Sequence, residues 1–515
     1  MSQGRVIRTF RERLEIEEKL QALARERDDH ARNALAQELA QRGERIVPVI
    51  LRHLKTTNPL LRASLGLVAS YLPADIITPA LYRVVSDPQR SDQERMAALM
   101  ILERFLGEEI EDSMYAELRD PDAVMEQALR EVVENLHEYP EIIIDFIAQL
   151  EEEPSDVALM LLNIAERFPE DQTFPILVAL AYDLRPEVAE LALHLLGKTH
   201  HPEALPALTT LVDFLPTPQR TTAERSARKL RLKGGIRYTY EPTTWRTFAS
   251  APDIHGTQAF WLLRTGSPPY LLISLLANVD LGIQFAFVLH EIPQEFIPPT
   301  ENKAQRASIP LDVSINATER RIAWLREIPV AHARRWLKNL TIQNYVNAYT
   351  VPTMYRLHIT RFWQETREEG LAATPTLPSF SYNALPDPQR FFEHEAFLLW
   401  NITPIRDVFQ DRGDTSAPPT IEAFYAAVQR VRSQDFAPGT WHHVAERLLQ
   451  TAEWFMVIGE PRMAEQAVAV AHIMRTTEYE MNPFARLLVE RGIFEKFQRL
   501  RRKHEQDGED SQGRV

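Results

Sequence analysis

The chain has 515 residues, several times the span that one hydrophobic core usually organises, so two or more domains are expected. Its 58 basic and 72 acidic residues leave a net charge of −14, which argues against a protein that coats nucleic acid along its whole length. Cysteine is absent, which excludes disulfides, thiolate metal sites, cysteine nucleophiles and Fe–S clusters together.

Residues 1–27 read as an N-terminal helix. Its opening from Met1 to Leu20 is too charged for a secretory apolar region, and nowhere do 18 consecutive apolar residues occur. A soluble, cytoplasmic protein without membrane contact is the expectation.

Glycine numbers 17 and proline 35, the ratio of helices punctuated by prolines. No glycine-rich phosphate loop is complete. The nearest imitation, Gly197-Lys198-Thr199, has Ala192 where an upstream glycine is required and continues an amphipathic helix.

From about residue 28 to residue 216 a helical apolar pattern following a proline recurs at Pro48, Pro79, Pro175 and Pro206, with spacings of 31, 96 and 31 residues. Proline suits the first turn of a helix, so these prolines are expected to start helices. The period predicts six units, the unmarked ones opening near Ile110 and Glu141. At an offset of 127, Pro79-Ala80-Leu81 aligns with Pro206-Ala207-Leu208, and Leu61, Leu65 and Val68 align with Val188, Ala192 and Leu195. Each unit therefore reads as two helices. In the last one Val188, Leu191, Ala192, Leu195 and Leu196 face Leu205, Leu208, Leu211, Val212 and Leu215. Neither stripe is buried alone, so neighbouring pairs must stack. The run RPEVAELALHLLGKTHHPEALPAL, Arg185 to Leu208, resembles the HEAT-like repeat, in the short form also found in phycobilin-lyase relatives. That resemblance implies an α-solenoid that holds other macromolecules, and weakly an enzyme of the tetrapyrrole-attachment kind. It transfers no catalytic residue.

The array is the acidic part of the chain. Residues 28–216 carry 34 acidic and 15 basic residues, and between Glu103 and Asp171 the count is 21 against 4. Glu108, Glu109, Glu111, Asp112, Glu151, Glu152 and Glu153 are the candidate docking surface for a basic partner. The plainer alternative is a solvated helix face.

Residues 217–235 form a basic helix ending in a Gly234-Gly235 hinge. Arg220, Arg225, Arg228, Lys229, Arg231 and Lys233 stand against Glu224 alone and are candidates to bind an anionic surface, nucleic acid or an acidic partner. Docking on the acidic array of the same chain is the alternative, and it would have to bury Leu230 and Leu232.

Residues 236–370 read as an α+β domain. Thr257 to Arg264, Tyr270 to Ala277 and Ile283 to Glu291 are expected to be three strands of a β-meander. In the third, Ile283, Phe285, Phe287 and Leu289 make one face apolar while the other is mixed; the first two are apolar on both faces and should be central and covered by helices. Asp253 and His255 are the nearest approach to an acid–base pair, although a turn-forming Asp beside an exposed His explains them as well. His290-Glu291 and Glu393-His394-Glu395 each lack the second histidine of a zinc helix. Residues 317–363 carry Arg320, Arg321, Arg326, Arg334, Arg335, Lys338, Arg356 and Arg361 interleaved with aromatics, a pattern that would stack single-stranded bases. Trp324 and Trp336 nevertheless sit at helical spacing among Ile322, Leu325, Ile328, Leu337 and Leu340, as core aromatics do.

Residues 371–389 form a Pro-rich connector, 390–503 a helical C-terminal region and 504–515 a disordered tail. Phe391 to Phe409 reads as one helix, and Trp441 to Arg475 as an antiparallel helical pair turning at Gly459-Glu-Pro461. His442, His443 and Glu446 share a helix start and read as solvated.

The fold class expected is mainly α: an N-terminal α-solenoid of about six HEAT-like helix pairs, a small α+β domain with a β-meander, and a helical C-terminal region. The function expected is a non-enzymatic protein-interaction or scaffold protein with a protein partner. A nucleic-acid-binding accessory protein using residues 220–233 and 317–363 is the alternative. No catalytic, cofactor or metal residues are assigned, and the oligomeric state stays open.

Overall fold

The computed structural model describes residues 16–26, 28–56, 58–110, 121–136, 142–233, 243–266, 269–298, 308–316, 319–405, 408–409 and 418–512. The protein is mainly helical with one antiparallel six-stranded sheet, and the chain divides into two compact units, Met1–Leu180 and Ala181–Val515. The division falls inside the span 28–216 that the periodicity treats as one array, and residues 181–216 belong to the second unit.

In the first unit a helical segment at 16–25 precedes α1 (Asp29–Ala40), α2 (Val47–His53), α3 (Pro59–Ser70), α4 (Ala74–Val85), α5 (Asp92–Met100), α6 (Pro121–Asn135), α7 (Ile142–Glu152), α8 (Ser155–Ala165) and α9 (Glu170–Leu180). Local chemistry sets several starts. Asp28 accepts from the Ala31 amide, Asn58 accepts from the amides of Leu60 and Leu61 with Pro59 at the first helical position, and Ser91 and Glu94 close a reciprocal capping box. One apolar core runs from Ile16 to Leu102 and includes Leu61, Leu65, Val68, Leu81 and Val84.

The prolines behave differently from the expectation. Pro48 lies in the first turn of α2, but Pro79 and Pro175 sit inside α4 and α9. Each costs one backbone hydrogen bond near the helix start, and the buried apolar neighbours hold the helix through it. These two prolines therefore do not mark the first residue of a helix.

The second unit opens with α10 (Pro186–Leu196), α11 (Ala204–Phe214) and α12 (Thr217–Leu232). Gly197, at the end of α10, packs on Ser226 of α12, where a Cβ would come within 2.6 Å of the serine side chain. That contact explains the glycine of the P-loop imitation: it admits a helix, not a phosphate. Gly234 and Gly235 of the expected hinge lie outside the described residues.

Six strands follow: β1 (Thr244–Ala249), β2 (Thr257–Thr265), β3 (Leu271–Asn278), β4 (Gly282–His290), β5 (Ser308–Asn316) and β6 (Glu319–Ile328), in the spatial order β4-β3-β2-β1-β6-β5. The meander strands lie where the alternation places them. Residues 319–328, read as helical, are instead a strand. From Ala323 to Arg326 burial in β6 alternates, with Ala323 and Leu325 buried and Trp324 and Arg326 half-buried, because pairing to β1 and β5 forces a period of two on residues of good helix propensity; Ile328 is buried on the other face.

The sheet's inner face is covered by α13 (Val330–Val346) and α14 (Thr353–Glu365). Trp245, Phe260 and His290, which share that face, meet Phe362, Trp336 and His358 with ring centroids 5.1, 6.2 and 5.4 Å apart. The connector 371–387 carries no α-helix or strand and makes one 3₁₀ turn at Tyr382–Ala384, with Phe380 stacked 3.9 Å from His472. Phe391 to Phe409 is not one helix. A single turn, α15 (Pro388–Phe392), gives way at Glu393, and His394 then caps a 3₁₀ turn by accepting from the Ala396 amide, so that Phe391, Phe392 and Phe397 converge on one another and on Phe484. After α16 (Ile421–Arg430), α17 (Thr440–Ile458) and α18 (Pro461–Thr476) pack together across Gly459, whose left-handed φ of 83° turns the chain. The last helix, α19 (Pro483–Gln512), runs into the residues expected to be disordered, since Lys503, Glu505 and Gln506 favour continued helix.

Candidate functional site

The cationic segments separate on inspection. In α12 and its C-cap, Arg225, Arg228, Lys229, Arg231 and Lys233 are exposed and Arg220 is half-buried; Leu230 is buried, but Leu232 is 83% exposed. Buried Ala223, Ser226 and Ala227 form the opposite stripe. The helix therefore presents a basic ridge because its small residues are needed against α10 and α11.

The segment 317–363 does the reverse. Arg334, Arg335 and Arg356 are buried. Arg334 donates to the Trp363 carbonyl (2.6 Å) and Thr366 Oγ1 (2.8 Å) and lies 4.0 Å over the Trp363 ring; burial pushes its pKa down to about 10. Arg335 pairs with Glu453, Arg326 with Glu395 and Glu460, Arg361 with Glu365, and Arg356 donates to the Val351 carbonyl. Lys338 lies 3.7 Å from Asp213, which also accepts from the Trp363 indole at 3.0 Å. The aromatic rings between them are core: Tyr355, Phe362 and Trp363 are buried. The side chains of Arg320 and Arg321 lie outside the described residues.

The inner face converges on one carboxylate. Glu365 accepts from Thr243 Oγ1 (2.5 Å), Trp245 Nε1 (2.7 Å), Arg361 Nε (2.9 Å) and Arg264 Nε (3.1 Å), tying β1 and β2 to the end of α14. Burial opposes its charge, but these donors outweigh burial and hold the carboxyl below the usual range. Beside β4, burial lowers the His358 pKa to about 4, with the charges of His290 and Arg361 acting in the same direction.

In the first unit Glu109 and Glu152 are exposed, Glu108 and Glu151 half-buried, and Glu153 lies 3.9 Å from Arg104; Glu111 and Asp112 lie outside the described residues. The Asp253–His255 pair is resolved as a turn. Asp253 Oδ1 accepts from the amides of His255 (2.9 Å) and Thr257 (2.7 Å), which engages the carboxylate with backbone and leaves the imidazole exposed beside it. Among the described residues no group of three or more His, Cys, Asp and Glu is arranged to hold a metal ion, and no helix is long and apolar enough to cross a membrane.

The surface that residue chemistry alone did not single out is the outer face of the sheet at β4. Phe248, Ala259, Leu263, Leu272 and Leu325 form a small buried cluster there, with Trp261, Leu276, Ile292 and Ile297 around it. Cross-strand pairing continues this face outward, Leu276 to Phe285, Ser274 to Phe287 and Leu272 to Leu289. On β4, which among the described residues is hydrogen-bonded as a strand to β3 only, the apolar row is exposed: Phe285 by 56%, Phe287 by 38% and Leu289 by 47%. Phe296, in the loop that follows, is 70% exposed. The alternation in the sequence was the signal; which face the helices cover was not in it. No protein family, curated protein or solved structure matches the chain.

Proposed function

We propose that the protein is a scaffold that holds a protein partner, with the outer face of β4 as its docking surface. The observation that carries this reading is the exposed row Phe285, Phe287 and Leu289, continuous with a buried apolar cluster and joined by Phe296. Burying one such side chain is worth about 1.5–3 kcal/mol, so a row of them left in water favours a partner that covers it. From Gly282 to Val288 the strand carries no charged residue, which suits an uncharged, apolar partner segment.

Site-specific photo-cross-linking tests it. A benzophenone amino acid at Phe287 or Phe285 should give a discrete protein adduct in cells, and one at exposed Met481 should not. Equal, diffuse labelling at all three positions overturns the proposal.

The basic ridge of α12 supports the second reading, an accessory nucleic-acid binder through Arg225, Arg228, Lys229 and Arg231. Filter binding at low salt tests it. Retention of single or double strands that disappears on Arg228→Glu with Lys229→Glu would favour it, and no retention at all ends it.

A further inference from the structure

Two helices of the second unit face each other with polar side chains where packed helices ordinarily carry aliphatic ones. On α13, Trp336, Asn339, Leu340 and Gln343 follow the i, i+3, i+4, i+7 stripe; on α17, Gln450, Glu453 and Trp454 follow i, i+3, i+4. Together with Pro252, Gln258 and Val279 they line a cleft of about 300 Å³. Its entrance is at exposed Asn339 and its floor at buried Gln258.

The hydrogen bonds already made decide what the lining offers. Trp336 Nε1 donates to Glu453 Oε1 at 2.8 Å and Trp454 Nε1 to the Ala249 carbonyl at 3.1 Å, so both indoles are fixed by their N–H groups and add only apolar surface. Gln258 Nε2 donates to the Ser250 carbonyl at 2.7 Å, which leaves its oxygen as an acceptor. Gln450 Oε1 must accept from the Arg447 guanidinium, at 2.7 Å, which leaves its NH₂ as a donor. Glu453 Oε1 takes both Arg335 and Trp336, leaving Oε2 to accept. Arg335 neutralises that carboxylate, and no cationic side chain lines the cleft.

We infer that this cleft binds a neutral polyhydroxylated ring, a pyranose sugar. A sugar hydroxyl is donor and acceptor at once and suits amides beside a carboxylate, while the C–H faces of the ring suit Trp336, Pro252 and Val279. An anionic ligand would meet Glu453 without a free cation. A nucleobase can also donate an exocyclic amine to Glu453, so adenosine is the competitor that the titration must exclude. A cleft of this size holds one sugar ring rather than an oligosaccharide.

The whole chain, titrated with methyl α-glucopyranoside, methyl β-galactopyranoside and N-acetylglucosamine and followed by tryptophan fluorescence and calorimetry, should show saturable binding of at least one with a Kd of about 1 mM or tighter. Gln450→Leu and Asn339→Ala should each weaken it tenfold or more at unchanged circular dichroism, and Phe287→Ser should leave it unaltered. Asn339 is exposed, so its variant keeps the test valid if the other misfolds. Binding of none of the three sugars, binding of adenosine in their place, or full affinity in the Asn339 variant overturns the inference.

Discussion

Two stretches of the chain carry nearly the same excess of positive charge, +5 over residues 217–235 and +6 over 317–363, yet the fold uses them in opposite ways. In α12 the cations share the helix with Ala223, Ser226 and Ala227, small residues that let α12 lie close on its neighbours, so the long basic side chains stay in solvent. In α13 and α14 they share it with Leu337, Tyr355, Phe362 and Trp363, whose burial takes the guanidiniums inward with them. A charge count therefore does not locate a basic surface. The size of the side chains interleaved with the charges does, because large aromatics claim the core and leave the cations to find carboxylates and carbonyls there.

Removing a partner from the buried set is the strongest way to break this contrast. Glu365→Ala leaves Arg264 and the Trp245 indole facing an empty position and should lower stability by about 3–5 kcal/mol, read by denaturant unfolding. A loss below about 1 kcal/mol would place the four donors in solvent. Next comes Leu208→Ala. The side chain is fully buried in α11, and its truncation should cost about 2–5 kcal/mol in the same assay; little change would show the helix packing loosely.

A third prediction uses pH. His358 has a folded pKa near 4 against an ordinary 6.5, so the unfolded chain binds a proton that the folded one refuses. Its contribution is fully present above about pH 6.5 and is lost as pH falls toward 4. Glu365, also depressed, adds its loss only below the ordinary carboxylate range. Between pH 6.5 and pH 4 the wild type should lose stability relative to His358→Phe; parallel curves would remove the buried imidazole as the cause. The smallest effect belongs to the exposed ridge. Arg228→Glu with Lys229→Glu should change stability by less than about 0.5 kcal/mol, and a larger loss would show that the ridge is packed.

Much of the second unit was legible in the sequence. Alternation and turn residues place β2, β3 and β4 within about a residue of their observed ends, and the Gly459 turn with its flanking stripes places α17 and α18. Local pattern failed where a distant partner decides. β6 reads as an amphipathic helix because Glu, Arg, Ala and Leu dominate it, and only its pairing with β5 on one side and with β1, some eighty residues earlier, on the other makes it a strand. On β4 the alternation separates two faces correctly, but the mixed one is covered, since α14 brings His358 to His290, and the apolar one is left outward. The cleft between α13 and α17 was invisible for a related reason: each polar stripe alone looks like a solvated face, and only the pairing of the helices turns the two toward each other.

Asn344 sets a limit on how β4 can be approached. Its amide accepts from the Ile283 N–H at 2.8 Å and donates to the Ile283 carbonyl at 2.9 Å, imitating one rung of a neighbouring strand, and it reaches that close because Gly282 has no Cβ to meet it at 2.4 Å. The beginning of β4 is thus already closed to main-chain zippering. A visiting polypeptide that extends the sheet has to lay down its ladder toward the His290 end, because a single amide on α13 already occupies the rung at Ile283.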